Sequence, residues 1–128
     1  MTIAEVSKKY ELSADTLRYY ERIGLIPCVN RNKSGIRHYT EEDCRWVEFI
    51  KCMRSAGLPI EVLIEYVTLF QQGDETIGAR KDILTEQRKQ LIEKMEDIKK
   101  TIERLDYKIE RYEQSVVKKE NALKRADD

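Results

Sequence analysis

The second half of the chain holds a long segment without helix-breaking residues. From Thr76 to Lys124 it has no proline and, after Gly78, no glycine. Within this segment, apolar residues recur at alternating gaps of four and three, which is the period of a coiled-coil seam. The seam comprises Leu91, Met95, Ile98, Ile102, Leu105, Ile109, Tyr112 and Val116. The pattern predicts one helix on the order of 70 Å long, at about 1.5 Å of rise per residue.

A helix of that length cannot bury its apolar stripe against the small domain that the preceding residues can form. It needs a partner helix, and a second copy of the chain is the simplest partner. We therefore predict two parts: an N-terminal domain over residues 1–72, and a dimerising coiled-coil helix over residues 73–128. The expected assembly is a homodimer.

Helix-start signals divide the first part of the chain. Thr2 and Glu5 form a capping-box pattern, and Ser13 is placed to cap a second helix that Gly24 ends. Two short helices with a tight break between them predict a helix-turn-helix. The fold class is therefore mainly α.

Extended and helical segments follow. Residues 29–32 and 36–39 flank Lys33-Ser34-Gly35, so we predict a two-stranded wing with a turn at its tip. A third helix begins near Thr40, and its spacing predicts a buried face. That face comprises Trp46, Phe49, Ile50 and Met53. Pro59 suits the start of a fourth helix.

Charge is concentrated on one segment. The chain has 24 basic and 24 acidic residues, so its net charge is zero. From Arg18 to Arg37, however, five basic residues face a single acid, Glu21, which leaves a local charge of +4. Arginines supply phosphate contacts and base-edge donors, and tyrosine hydroxyls add directional contacts. The segment predicts binding to double-stranded DNA.

Other function classes lack their residues. With one histidine, no glycine-rich phosphate loop and no metal-ligand cluster, the sequence offers no catalytic centre, and we expect neither an enzyme, a metal nor a cofactor. No apolar run is long enough to cross a bilayer, and no signal peptide follows Met1. We expect a cytoplasmic protein with reduced thiols and no membrane partner.

The motifs together resemble the MerR family of bacterial transcriptional regulators. The resemblance is carried by Ile3-Ala4-Glu5-Val6, by the run from Thr16 to Pro27 (TLRYYERIGLIP), by Gly35-Ile36-Arg37-His38-Tyr39, and by the terminal coiled coil. It implies a winged helix-turn-helix on an antiparallel coiled-coil dimer. It also implies the mechanism: the active dimer bends and untwists a promoter with an overlong spacer, so that RNA polymerase engages both promoter elements.

The resemblance also assigns roles to residues. Arg18 and Tyr19 would face the major groove from the recognition helix, and Tyr20 would be shared between core and phosphate. Arg37 and Tyr39 would grip the DNA backbone from the wing. The complete set of candidate DNA-binding residues is Arg18, Tyr19, Tyr20, Arg22, Arg31, Lys33, Arg37 and Tyr39. His38 is interpreted as a wing residue near phosphate.

The effector is a separate question. The family's metal sensors carry cysteines at and after the long helix, whereas this chain has none beyond Cys52. We also expect no appended ligand-binding domain of the multidrug type. The segment from Glu48 to Arg54 (EFIKCMR) resembles the family's aldehyde- and nitrosative-stress-responsive branch, which carries a lone cysteine at this place.

Cys52 is therefore a candidate sensor thiol. It falls at the edge of the third helix's apolar face, and the neighbouring Lys51 and Arg54 would favour the reactive thiolate. A free cysteine in a helix is also commonly an apolar filler, so both interpretations stay open. Cys28 and Cys44 are interpreted as structural or incidental, with Cys44 nearly opposite the core face and therefore exposed.

Two alternatives remain. The dimer could sense a noncovalent ligand between the fourth helix and the start of the coiled coil, where Tyr66, Phe70 and Leu84 would line a small pocket. From a different class, the chain could be a coiled-coil scaffold whose N-terminal domain binds a protein.

Overall fold

Helices form almost all regular structure in the computed structural model, which describes the backbone of residues 1–127 and side chains as far as Leu123. Asp128, the last residue of the predicted second domain, lies outside the described residues. One turn of 3-10 helix lies at Asp74–Thr76. The α-helices are α1 (Ile3–Tyr10), α2 (Ala14–Arg22), α3 (Glu41–Ser55), α4 (Ile60–Gln72) and α5 (Ile77–Asp127). None of the described helices is long and apolar enough to cross a membrane.

The helix starts follow the predicted caps. The Glu5 amide donates to Thr2 Oγ1 at 3.2 Å, and the Thr2 amide donates to Glu5 Oε1 at 3.3 Å. The Thr16 amide donates to Ser13 Oγ at 3.0 Å, which begins α2. Each cap satisfies amides that have no partner inside the helix, so short helices such as α1 and α2 keep defined ends.

The wing is a hairpin with little strand structure. Its backbone pairing consists of one isolated bridge, Arg31 with Arg37, and residues 1–127 contain no extended strand. Asn32 replaces further pairing, because its Oδ1 accepts from the amides of Ser34 and Ile36 at 2.9 and 3.0 Å. The predicted two-stranded wing is therefore corrected to a turn closed by a side chain.

The core lies between the helix-turn-helix and α3–α4. Its fully buried side chains include Val6, Leu17, Leu25, Val47, Ile50, Leu63 and Val67. The α3 face that enters it is rotated from the predicted one. Cys44, Val47 and Ile50 are buried, whereas Trp46, Phe49 and Met53 are only half-buried. The expectation that Cys44 is exposed was wrong: it is 5% exposed, and its Sγ lies 3.8 Å from Met1 Sδ.

The half-buried aromatic residues form a cluster of their own. Trp46 of α3 contacts Phe70 and Tyr66 of α4, with ring centroids 4.9 and 5.9 Å apart. Phe49 lies 6.1 Å from Trp46 and 5.7 Å from Tyr66. Edge-on and tilted contacts are favourable arrangements of aromatic rings. The large aromatic side chains of α3 thus pack against α4 at the rim of the core.

The chain divides into two compact units, Met1–Gln87 and Arg88–Asp128. The first therefore continues past α4 into the first turns of α5. Thr76 Oγ1 donates to the carbonyl of Leu69 at 2.6 Å, and Arg80 Nε donates to Thr76 Oγ1 at 3.0 Å. These bonds fix the α4–α5 junction. The functional boundary at residue 72 stays a prediction.

The rest of α5 carries its apolar residues at the surface. Met95, Ile98, Ile102, Leu105, Ile109 and Tyr112 are each 52–67% exposed. They are six of the eight predicted seam positions, and the other two, Leu91 and Val116, are half-buried. A stripe of this size exposed to water is unfavourable for a single chain.

Candidate nucleic-acid interface

Helix α2 separates its inward and outward residues by helical geometry. Leu17 and Tyr20, three apart, are buried, whereas Arg18 and Tyr19 between them face solvent. Arg18 Nη1 donates to Asp15 Oδ1 at 2.9 Å, and both side chains remain largely exposed. An exposed pair of this kind contributes little to stability, so Arg18 can exchange its partner at low cost.

Tyr19 and Arg22 form one exposed unit. The Arg22 guanidinium lies over the Tyr19 ring, 5.4 Å from its centroid, and the ring is 39% exposed. A cation over an aromatic face is attracted to the electrons of the ring, so the two side chains stay together. The pair presents a phenol and a cation from the same end of α2.

Tyr20 belongs to the core. It is 8% exposed, and burial raises the pKa of its hydroxyl above the ordinary value. Its carbonyl accepts from the amides of Leu25 and Ile26 at 2.8 and 3.4 Å, which closes the turn after α2. The phosphate-facing half of its predicted role stays a prediction.

The wing tip holds two exposed cations. Arg31 Nη1 donates to the carbonyl of Gly35 at 2.8 Å, which fixes that side chain along the turn, and Lys33 is exposed. Gly35 has a φ of +78°, a backbone conformation that a side chain would strain. The turn therefore carries its cations on a defined backbone.

Glu21 joins the wing to α2, and sequence reasoning missed it. Its Oε1 accepts from Arg37 Nε at 2.7 Å, and its Oε2 accepts from the Val29 amide at 3.0 Å. The Glu21 and Arg37 side chains are only 15% and 22% exposed. The one available signal was that Glu21 is the single acid in a basic segment.

The burial of Tyr39 corrects the role predicted for this residue. We expected its side chain to grip the DNA backbone, but it is 1% exposed. Its hydroxyl is buried without a hydrogen-bond partner in the part of the chain that is described. Burial, and secondarily the Glu21 charge, raises the pKa of this hydroxyl. In this structure Tyr39 supports the wing from beneath and does not reach its surface.

Replacing Tyr39 by Phe is expected to raise the free energy of unfolding by about 1 kcal/mol, because a buried hydroxyl without a partner costs free energy. Duplex affinity should stay within about 2-fold of wild type. The matched control is Tyr19→Phe, which removes an exposed hydroxyl and is expected to weaken binding about 5-fold. Thermal unfolding and fluorescence anisotropy measure the two quantities. A strong loss of duplex affinity in Tyr39→Phe would show instead that this hydroxyl contacts DNA.

Cys52 is exposed in the last turns of α3. The two cations beside it in sequence point to backbone carbonyls. Lys51 Nζ donates to Tyr10 O, and Arg54 Nη1 donates to Leu58 O at 2.7 Å. The Arg54 bond links the end of α3 to the turn before α4. Of the other two thiols, Cys28 is exposed and Cys44 is buried.

A pocket lies between α3 and α4, a different place from the one predicted. A shallow pocket of about 200 Å³ is lined by Glu42, Arg45, Trp46, Phe49 and Tyr66. Tyr66 lines this pocket, but Phe70 and Leu84 do not, so the predicted pocket between α4 and the start of α5 stays a prediction. Among the described residues, no group of three or more His, Cys, Asp or Glu side chains is placed to hold a metal ion.

Two family models match the chain. The model for MerR helix-turn-helix family regulatory proteins matches residues 1–69, and the model for the MerR DNA-binding region matches residues 44–107. The two matches overlap across α3 and α4, and together they span the first unit and part of α5.

Individual proteins agree with the models. The transcriptional regulator AdhR of Bacillus subtilis is 64% identical over 93 residues, which are 73% of this chain and 66%, slightly under two thirds, of that relative. A solved structure described as a MerR family regulator from Listeria monocytogenes is 44% identical, covering 99% of this chain and 96% of its own, with a TM-score of 0.91. HiNmlR, a MerR family regulator lacking the sensor domain and bound to promoter DNA, is 29% identical over 88% of this chain and 90% of its own, with a TM-score of 0.80.

Proposed function

The chain belongs to the MerR family of helix-turn-helix regulatory proteins, and from that premise we propose that it binds promoter DNA as a homodimer and distorts the DNA between two half-sites. It is a DNA-binding transcriptional regulator, and the relatives it matches are described as transcriptional regulators. The family assignment favours this class over the protein-binding scaffold.

The observation that carries the DNA proposal is the surface formed by α2 and the wing. Arg18, Arg22, Arg31 and Lys33 are exposed, and the Glu21–Arg37 bond holds the wing to α2. Cations on two neighbouring elements can follow a phosphate backbone while α2 enters the major groove. HiNmlR, which is 29% identical, is bound to promoter DNA in its solved structure, and this supports DNA binding by the present chain.

The dimer proposal depends on α5. Six of its eight seam residues are exposed, and a second copy would cover them in an antiparallel coiled coil. Two DNA-binding units at a fixed separation can impose a bend or twist on the DNA between them. RNA polymerase would then engage both promoter elements of the distorted DNA.

The proposed signal is an electrophile that reacts with Cys52. Exposure of the thiol supports this role, as does the resemblance of the surrounding segment to the aldehyde-responsive branch. With an aldehyde, the Cys52 sulfur bonds to the carbonyl carbon, the C=O π bond breaks, and the thiol proton moves to the oxygen. The product is a hemithioacetal beside the Arg54–Leu58 bond, which connects α3 to the turn before α4.

The test compares Cys52→Ser with Cys28→Ser, which removes another exposed thiol. The reporter carries a promoter that the wild-type protein retains from fragmented genomic DNA of its source. Wild type and Cys28→Ser should change transcription when a short aliphatic aldehyde is added, and Cys52→Ser should bind the promoter without responding. A full response in Cys52→Ser would remove the sensor proposal and leave DNA binding intact.

A noncovalent ligand is the second candidate. The pocket between α3 and α4 is walled by Trp46, Phe49 and Tyr66, and its aromatic surface suits a small apolar molecule. In the same reporter, an effector of this kind would act equally on the wild type and on Cys52→Ser, with no mass change at any thiol.

A further inference from the structure

Glu21 is placed unusually for a residue on a DNA-binding surface. It is the only acid between Arg18 and Arg37, and its side chain is 15% exposed. An acid this close to the phosphates repels them, so a surface that served affinity alone would not include it. An electrostatic attraction to DNA therefore does not explain why an acid lies on this surface.

Both carboxylate oxygens are used, and each holds a different part of the wing. Oε2 accepts from the Val29 amide at 3.0 Å, where the chain enters the wing. Oε1 accepts from Arg37 Nε at 2.7 Å, where the chain leaves it. The backbone bridge between Arg31 and Arg37 joins these two sides. One side chain of α2 thus fixes the wing at its base.

The contact also aims Arg37. A guanidinium has five N–H groups, and Glu21 occupies the one on Nε. One N–H on each of Nη1 and Nη2 points away from that bond, and these two form a fixed end-on fork, a geometry that can bind phosphate bidentately. The Glu21 side chain is only 15% exposed, so the carboxylate lies at the base of the wing and not at its outer surface.

We propose that Glu21 is a positioning residue for DNA binding, which holds the wing against α2 and orients the free N–H groups of Arg37 toward a phosphate. The inference depends on the proposed DNA-binding function. It predicts that removing the Glu21 charge weakens DNA binding, whereas the loss of a negative charge would by itself strengthen DNA binding.

The test is Glu21→Gln, which keeps the size of the side chain and removes its negative charge. In the wild type Arg37 and Val29 donate to different oxygens, and the amide replaces one of these oxygens by an NH₂ group, which then faces a donor. We expect affinity for a duplex enriched from a random library to fall about 10-fold, although loss of a negative charge should by itself tighten binding.

The matched control is Asp15→Asn on the same helix. The Asp15 side chain is 94% exposed, and its carboxylate forms an ion pair with Arg18. Removing the Asp15 charge therefore frees a cation without moving the wing. This variant should bind DNA at least as tightly as wild type. Opposite effects of two equal charge changes on one helix separate positioning from electrostatics.

Two further measurements guard against simple unfolding. In an Arg37→Gln background, Glu21→Gln should cause a smaller further loss of affinity than in the wild type, because part of its effect acts through Arg37. Amide exchange at Val29 should quicken in Glu21→Gln while the core of α3 and α4 keeps its protection. Equal or tighter binding by Glu21→Gln would overturn this inference alone. Failure of the wild type to bind any duplex would overturn the proposed function and this inference together.

Discussion

Replacing Ile102 by Asp is expected to convert the proposed homodimer to monomers and to lower duplex affinity by about 100-fold or more. Ile102 lies at the middle of the α5 seam and is 52% exposed in the single chain. In a coiled coil it would be covered by the partner helix, and two carboxylates would then be buried without partners. The dimer would separate, and each half-site would be bound by one unit alone.

The matched control is Gln114→Asp, which adds the same charge on α5 at an exposed position outside the seam. It should remain a dimer and bind DNA as wild type does. Sedimentation equilibrium measures the oligomeric state, and fluorescence anisotropy measures the affinity. A dimeric Ile102→Asp protein would show that another surface joins the two copies.

Replacing Arg18 by Gln is expected to weaken binding to the enriched duplex by about 10-fold to 100-fold, from loss of a base-edge contact in each copy. Discrimination between that duplex and a scrambled one should also decrease, because a base contact specifies sequence whereas a phosphate contact does not. The exposed Asp15–Arg18 pair, at 2.9 Å, would be replaced by the base contact on binding.

Arg104→Gln is the control for this change, since it removes an exposed arginine from α5 and not from the basic segment. It should leave both affinity and discrimination unchanged. Equal losses in Arg18→Gln against matched and scrambled duplexes would place Arg18 on phosphate and not on base edges.

Local signals explain why much of the helical structure could be predicted. A cap needs residues only three positions apart, so Thr2 with Glu5 and Ser13 with Thr16 were readable from the sequence. The exposed stripe of α5 likewise depends on a repeat within one helix. Both are settled by short-range geometry and need no knowledge of the tertiary fold.

Nonlocal contacts explain what could not be predicted. Glu21 and Arg37 are 16 residues apart, and nothing in their spacing marks them as partners. The face of α3 was misplaced because the large Trp46 and Phe49 side chains suggested the core, whereas packing selected the smaller Cys44 and Val47 for it. Tyr39 was predicted to be a surface residue, because its burial depends on elements elsewhere in the chain that the local sequence does not reveal.

The most direct measurement is the affinity of the wild-type protein for its enriched duplex across a series of salt concentrations. If three to five cations of each copy contact phosphate, a dimer neutralises about six to ten phosphates, and affinity should fall by about 10³-fold to 10⁵-fold between 50 and 200 mM salt. The logarithmic plot should be linear and steep. A flat profile would contradict phosphate binding by α2 and the wing, and would favour a protein-binding scaffold.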